Sequence, residues 1–199
     1  MNLRKEIVMD KKVSVEISAR HVHLPEDVYK VIFGADAEMT PVKHLTAGGA
    51  FVDDKRVTLV GPKGEMKNVA ILGPYRPFQV ELSKTDARKL GLDAPVRISG
   101  DVKGSSPVKV VGAVGEYDAP EGALVAKRHI HIGVDDAEKW GYTKESVVKV
   151  KIETPDRTTI YDDVMIRPNP SPSPVIMHID TDEGNAAGMS GPQEACIVE

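Results

Sequence analysis

A four-residue pattern that occurs twice constrains this chain more than any other feature of its sequence. Arg-His-Val-His at 20–23 recurs as Arg-His-Ile-His at 128–131. In 13–19, before the first copy, apolar residues occupy every second position, which is typical of a strand with one buried face. Each copy is followed by a segment that suits a short helix, ending at Gly34 or Gly141. The repeat therefore predicts a duplicated unit in which a strand leads into a capping helix.

A second internal similarity supports the duplication. Asp-Ala-Arg-Lys-Leu-Gly-Leu at 86–92 resembles Asp-Ala-Glu-Lys-Trp-Gly-Tyr at 136–142, and a predicted strand follows each, at 96–99 and 147–152. The 17 Gly and 14 Pro residues are more than usual and indicate many turns. We predict a mainly β fold that contains a duplicated unit of roughly 100 residues, each copy a small β-barrel or sheet with a short capping helix.

Composition excludes several classes of protein. The 26 Lys and Arg residues nearly balance the 30 Asp and Glu residues, so the chain lacks the basic charge of a protein that binds the nucleic-acid backbone. Its apolar runs are far shorter than the ~20 residues that span a membrane, and 1–12 contain no signal-peptide core. Cys196 is the only cysteine, which excludes an intrachain disulfide and a thiolate metal cage. We expect a soluble cytoplasmic protein with no nucleic-acid or membrane partner.

Four of the six histidines form two His-x-His pairs, His21 with His23 and His129 with His131. On a strand, this spacing puts both side chains on one face, about 6.5–7 Å apart at the backbone, so that they can converge on one ion. A single pair is weak evidence, because paired surface or core histidines are common. Two pairs in matching contexts predict metal binding. Imidazole ligands suit zinc, copper, iron, nickel and cobalt, and zinc is the leading candidate by its abundance.

A catalytic zinc ion needs about three protein ligands and one open position, so each pair requires a third ligand. His178 follows the stiff Pro-rich segment 168–174 and is the candidate for one pair. The other pair needs a carboxylate, either Glu81 on an alternating strand or Glu26 in the first turn of a predicted helix. Spacing alone does not choose between them. His44 has no partner nearby and is expected to be structural.

Two cationic residues in predicted turns indicate an anionic substrate. Arg76 lies in the turn Leu-Gly-Pro-Tyr-Arg-Pro at 72–77, where a guanidinium can hold phosphate through two hydrogen bonds. Lys63 is presented by Gly-Pro-Lys-Gly at 61–64, which by itself is equally typical of an ordinary hairpin.

These residues lie in segments that, taken together, resemble the signature segments of the PduL-type phosphate propanoyltransferases. The matching segments are 18–24, 72–76, 127–131 and 177–186. Members of this family are the phosphotransacylases associated with propanediol-using bacterial microcompartments. The resemblance extends from about residue 13 to residue 190 and implies a phosphate acyltransferase that interconverts a short-chain acyl-CoA, such as propanoyl-CoA, and phosphate with acyl phosphate and CoA. It also implies two β-barrels and direct attack at a dinuclear zinc site.

The resemblance assigns a role to individual residues. It implies one zinc ion held by His21, His23 and Glu81, and a second held by His129, His131 and His178. Arg76 matches the catalytic, phosphate-binding arginine, and the residues that match segments near CoA are Ser18, Ala19, Lys63 and Asn185. The family's first barrel is discontinuous, which implies one domain of 1–19 plus 128–199 and another of 20–127.

The sequence departs from the microcompartment members at its start. Those members usually carry an amphipathic N-terminal extension, whereas only about 12 residues precede the first predicted strand here, with a short apolar stripe of Leu3, Ile7 and Val8 that is marginal as a helix. A cytoplasmic location, inside a microcompartment or outside it, and a homo-oligomer are both compatible with the resemblance.

Alternative functions share parts of this pattern. A metal-dependent thioesterase or other hydrolase would use the same ligands but has no need of Arg76. The alternative outside the enzymes is a non-catalytic metal-binding module or a shell-associated structural module. Cys196 offers an acyl-enzyme route, but it lies near the chain end with no histidine beside it in sequence, so we expect direct attack by phosphate instead.

Overall fold

The computed structural model describes residues 11–46 and 49–198, which form fourteen strands and four short helices. The strands are β1 Lys12–Ile17, β2 His21–His23, β3 Pro41–His44, β4 Phe51–Gly61, β5 Gly64–Gly73, β6 Gln79–Glu81, β7 Val96–Arg97, β8 Ser106–Val111, β9 Glu116–Ala126, β10 His129–Gly133, β11 Val147–Glu153, β12 Thr158–Asn169, β13 Ile176–Ile179 and β14 Gln193–Val198. The helices are α1 Glu26–Phe33, α2 Lys84–Leu90, α3 Val134–Lys139 and α4 Thr181–Ala186.

Six strands close into a first barrel in the order β1, β13, β10, β12, β11 and β14. Alternate residues of these strands fill its interior, among them Val15, Ile130, Val150, Ile166 and Met177, all nearly or completely buried. The side chains between them point outward, so the residues on either side of Ile130 lie on the outer face of the barrel.

A second ring of six strands runs β4, β5, β2, β6, β9 and β8, and closes because β8 also pairs with β4. The short strands β3 and β7 are added to β4 and β9. Val22, Leu59, Ile71, Val80 and Val110 are completely buried within this ring. The predicted fold class, mainly β with two small barrels and short helices, is confirmed.

The two barrels share one topology. In each, two short strands lie antiparallel, β2 beside β6 and β10 beside β13. Each of these four strands also pairs in parallel with a longer strand, and each is followed directly by one of the four helices. Each barrel therefore contains two strand–helix units, rather than the single capping helix that the sequence pattern indicated.

The strands of the first barrel come from 12–17 and 129–198, and those of the second from 21–126. We propose the division into 1–19 plus 128–199 and 20–127 as the domain organisation. The predicted apolar stripe of Leu3, Ile7 and Val8 lies outside the described residues. Within the described part of the chain, no helix is long and apolar enough to cross a membrane.

The helices of the second barrel are held at their carboxyl ends by hairpin glycines. The N–H of Lys63 donates to the carbonyl of Leu90, the last residue of α2, at 3.0 Å. A β-carbon at Gly61 would lie 2.3 Å from that carbonyl oxygen. The same contact recurs between Gly112 and the carbonyl of Ile32 near the end of α1, also at 2.3 Å. Only glycine lets these hairpins approach the helices so closely.

We expect Gly61→Ala to lower the free energy of unfolding by about 1–3 kcal/mol, because the obstructing oxygen is main chain and cannot rotate away. Gly64, its register partner in the same hairpin, is the matched control, since a β-carbon there would meet only the Lys89 carbonyl at 3.8 Å. Urea unfolding of both variants measures the difference. An equal loss of unfolding free energy in Gly61→Ala and Gly64→Ala would contradict the close contact between Gly61 and the Leu90 carbonyl.

Candidate functional site

In the second barrel, three side chains converge where β2 lies beside β6. His21 and Glu81 are direct partners in this antiparallel pair, and Nε2 of His21 lies 3.6 Å from Oε2 of Glu81. Nε2 of His23 lies 3.2 Å from Nε2 of His21. The three ligand atoms all lie within 4.8 Å of one another, a spacing that one divalent ion can bridge.

The first barrel repeats this arrangement. His129 and His178 are direct partners between β10 and β13, and Nε2 of His131 lies 3.0 Å from Nε2 of His129. The three ligand atoms again lie within 4.8 Å of one another. His178 therefore occupies in the first barrel the place that Glu81 occupies in the second, and each cluster could hold a metal ion.

Hydrogen bonds at Nδ1, the ring nitrogen that faces away from the cluster, orient four of the imidazoles. Three of them donate Nδ1–H to a main-chain carbonyl: His21 to Ala19 at 2.9 Å, His129 to Lys127 at 2.8 Å and His23 to Leu72 at 3.1 Å. The side-chain amide of Asn169 lies 2.9 Å from Nδ1 of His131. Because Nδ1 keeps the proton in those three rings, the lone pair on Nε2 is directed into the cluster, as metal-binding histidines require.

Burial sets the charge state of these groups. It lowers the pKa of His23 to about 3, of His131 to about 3 and of His178 to about 4, and a neighbouring imidazole adds to each shift. Burial alone would raise the pKa of Glu81, but adjacent groups, led by His21, outweigh it and hold that pKa at about 2. Near neutral pH, these three imidazoles are thus neutral and the carboxyl group is ionised.

Both clusters open into one cavity of about 450 Å³. Arg76, from the turn after β5, and Arg167, from β12, also line it. Among the described residues, neither guanidinium lies within 4.0 Å of a carboxylate oxygen. Burial lowers the pKa of Arg76, Glu81 opposes this shift and Arg167 adds to it. The cavity therefore presents two cationic groups without ion-pair partners, which suits a bound anion.

The arginine before each histidine pair joins the two strand–helix units of its barrel. Arg20 contacts both carboxylate oxygens of Asp86, at 3.0 and 3.2 Å, and Arg128 lies 3.4 Å from Oε1 of Glu183. Asp86 and Glu183 hold equivalent positions, since each lies five residues beyond the third ligand of its cluster. The repeated arginine thus holds the helix after the third-ligand strand against the His-x-His strand.

The structure brings Ser18 and Ala19, two of the four residues predicted to contact CoA, to the wall of the main cavity. Lys63 instead lines a separate surface depression beside α2, and Asn185 is exposed on α4. These last two residues are not brought together with the histidine clusters.

The remaining sequence candidates lie outside the main cavity. Glu26 is exposed and pairs with Lys30 at 2.6 Å, so it is not the carboxylate that joins His21 and His23. His44 is exposed on β3, and Cys196 lies on β14 between β1 and β11.

Arg167 and Ser99 are among the cavity residues that sequence reasoning overlooked. Arg167 is the register partner of His131, and Ser99 accepts a hydrogen bond from Nε2 of Gln79 at 3.0 Å, beside Glu81. The alternation along β12 could have placed Arg167 on the outer face of its strand, but only the pairing with β10 puts it beside a histidine.

The family model described as phosphate propanoyltransferase matches residues 14–190, which include every strand of the histidine clusters. The phosphate propanoyltransferase of Thermotoga maritima is 43% identical over 198 residues, covering 99% of this chain and 92% of the relative. That of Shewanella putrefaciens is 46% identical, covering 92% and 86%, and that of Clostridioides difficile is 42% identical, covering 100% and 98%. The chain therefore belongs to the phosphate propanoyltransferase family, a family of phosphate acyltransferases.

Proposed function

We propose that this enzyme transfers the acyl group of a short-chain acyl-CoA, propanoyl-CoA foremost, to inorganic phosphate, at a site that holds two zinc ions. The observation that carries the proposal is the shared cavity. Two three-ligand clusters open into it together with two arginines that have no carboxylate partner within 4.0 Å among the described residues. Membership of the phosphate propanoyltransferase family supports phosphate acyl transfer as the reaction class. The positions of the two ligand clusters and the two arginines around one cavity support the roles that we propose for them.

The donor sets fit zinc. One cluster offers two imidazoles and a carboxylate, the other three imidazoles, and zinc accepts both kinds of donor. Three protein ligands leave at least one position open at each ion, as in catalytic zinc sites. When bound, such ions supply Lewis-acid stabilisation of negative charge on oxygen or sulfur.

The two arginines can bind phosphate, the second substrate. Phosphate is anionic near neutral pH, so it needs no strong general base, but it must be held at the thioester and partly removed from water. Arg76 and Arg167 approach the cavity from different barrels and can each offer paired N–H donors to phosphate oxygens.

In the transfer, a phosphate oxygen forms a bond to the carbonyl carbon, the carbon–sulfur bond breaks, and the electron pair leaves on the sulfur of CoA. We assign Ser18 and Ala19, which line the main cavity, to the part of CoA near its sulfur, and Lys63 and Asn185 to more distant parts of this long substrate. No acyl-enzyme is required, which agrees with the position of Cys196 away from the cavity.

A thioesterase is the second candidate, because hydrolysis would use the same metal ligands. The two arginines favour phosphate transfer, since attack by water requires no anion site.

The phosphate propanoyltransferases that this chain resembles are associated with propanediol degradation and with bacterial microcompartments. We propose the same pathway and the same association for this chain, and we propose that it forms a homo-oligomer.

The deciding experiment incubates the metal-loaded protein with propanoyl-CoA, with and without phosphate. We expect acyl phosphate, trapped as the hydroxamate, in an amount equal to the CoA released, and little release of CoA without phosphate. Equal release of CoA under both conditions would establish a thioesterase instead. No release under either condition in metal-loaded protein would leave only a metal-binding module.

Metal content gives an independent prediction. We expect two zinc ions per chain by elemental analysis, and about one in His178→Ala, because its cluster keeps only two imidazoles while the other cluster is intact. His44→Ala is the control and should retain both ions, since His44 is exposed on β3 outside both clusters. One ion or none in active wild-type protein would rule out a dinuclear site.

For Arg76, we expect the lysine variant to raise the KM for phosphate by about ten- to a hundredfold, the value of one or two charge-assisted hydrogen bonds. The KM for acyl-CoA should change much less. Arg56→Lys serves as control, because Arg56 donates to main-chain carbonyls and does not line the cavity. Equal rises in both KM values would assign Arg76 to folding of the site rather than to phosphate.

A further inference from the structure

A second cavity of about 270 Å³ adjoins the main one and shares three of its residues, Ser99, His129 and Arg167. Beyond these, its walls combine the apolar side chains of Ile98, Met165 and Pro168 with two exposed lysines, Lys127 and Lys144. The cavity therefore begins at one of the histidine clusters and extends away from it between apolar side chains. Nothing in the reaction described so far uses it.

The fold explains why apolar groups stand beside a histidine here. Met165 on β12 is the register partner of His129 on β10, so the two side chains stand next to each other on the outer face of the first barrel. Ile98 comes from the second barrel, directly before Ser99, and is 46% exposed despite its size. Together with Met165 and Pro168, Ile98 forms an apolar stretch of the cavity wall, which suits the alkyl part of a ligand.

The choice of ligand follows from the parts of the substrate. A thioester has a polar arm that leads to CoA, a reacting carbonyl and an acyl chain. The main cavity contains both arginines, Ser18 and Ala19, which suits phosphate and the CoA arm. The second cavity is smaller than the ~300–1,000 Å³ typical of sites for drug-sized ligands, which suits a short alkyl chain. Lys144, which also lines it, has a side chain 82% exposed, so its ammonium group can stay in water.

We propose that this second cavity binds the acyl chain, and that Ile98 and Met165 limit the chain length that the enzyme accepts. The proposal rests on the proposed function, because it takes an acyl-CoA as the substrate. It adds the place of the acyl group and the residues that select it, neither of which follows from the ligand clusters.

Chain-length preference tests the proposal. We compare kcat/KM for acetyl-, propanoyl-, butanoyl- and hexanoyl-CoA in the wild type, Ile98→Phe and Met165→Ala. Ile98→Phe should lower the butanoyl-to-acetyl ratio of kcat/KM by about tenfold or more, the usual effect of a methylene group that a pocket no longer accepts. Met165→Ala should raise the hexanoyl-to-acetyl ratio. Ile160→Phe is the matched control and should leave the profile unchanged, because Ile160 lies on β12 with Met165, is 56% exposed and does not line the cavity.

A binding measurement separates this proposal from the proposed function. The thioether S-butyl-CoA cannot react, and calorimetry should show that Ile98→Phe weakens its binding about tenfold while the affinity for CoA itself stays the same. An unchanged chain-length profile in both variants, or equal loss of thioether and CoA binding, would overturn the acyl subsite. Absence of acyl phosphate with every acyl-CoA would instead overturn the proposed function, and the thioether result would still report on the cavity.

Discussion

The site depends on the antiparallel register between two very short strands in each barrel. Residues directly opposite in such a pair have β-carbons about 4.5–5.5 Å apart, close enough for their side chains to reach one ion. That register places Glu81 opposite His21 and His178 opposite His129. A slip of one residue would turn these ligands into the barrel interior and bring buried Val80 or Met177 outward. Burial of the alternate residues thus fixes the geometry of both clusters.

Duplication of this arrangement explains the position and composition of the candidate site. Each barrel contributes one three-ligand cluster and one arginine, Arg76 from the second barrel and Arg167 from the first, and all of them face a single cavity. Neither barrel alone presents two clusters and two cations. The barrels differ in the third ligand, a carboxylate in one and an imidazole in the other. That difference gives the two halves of a symmetric scaffold distinct electrostatic properties.

Two local sequence patterns predicted the fold class. The period of two in 13–19 and the recurrence of 20–23 at 128–131 depend only on neighbouring residues, and the structure contains two barrels of the same topology. The recurrence marked only one strand–helix unit in each barrel, since the units led by β6 and β13 carry a single ligand each. The unit led by β6 was visible only through the similarity of 86–92 to 136–142. Repeated sequence identifies a duplication only where the repeated residues are similar.

The sequence by itself determined three features: the two histidine pairs, His178 as a candidate ligand, and the turn that contains Arg76. These features depend on the spacing of consecutive residues within one strand or turn. Spacing could not choose Glu81 over Glu26, and it gave no reason to single out Arg167 or the apolar cavity wall. Those assignments depend on which strands are neighbours. Cross-strand pairing brings together residues that are 36 to 60 positions apart along the chain, such as His21 with Glu81 and His131 with Arg167. Only the closed barrels decide that pairing, because it is set by the burial of both interiors at once.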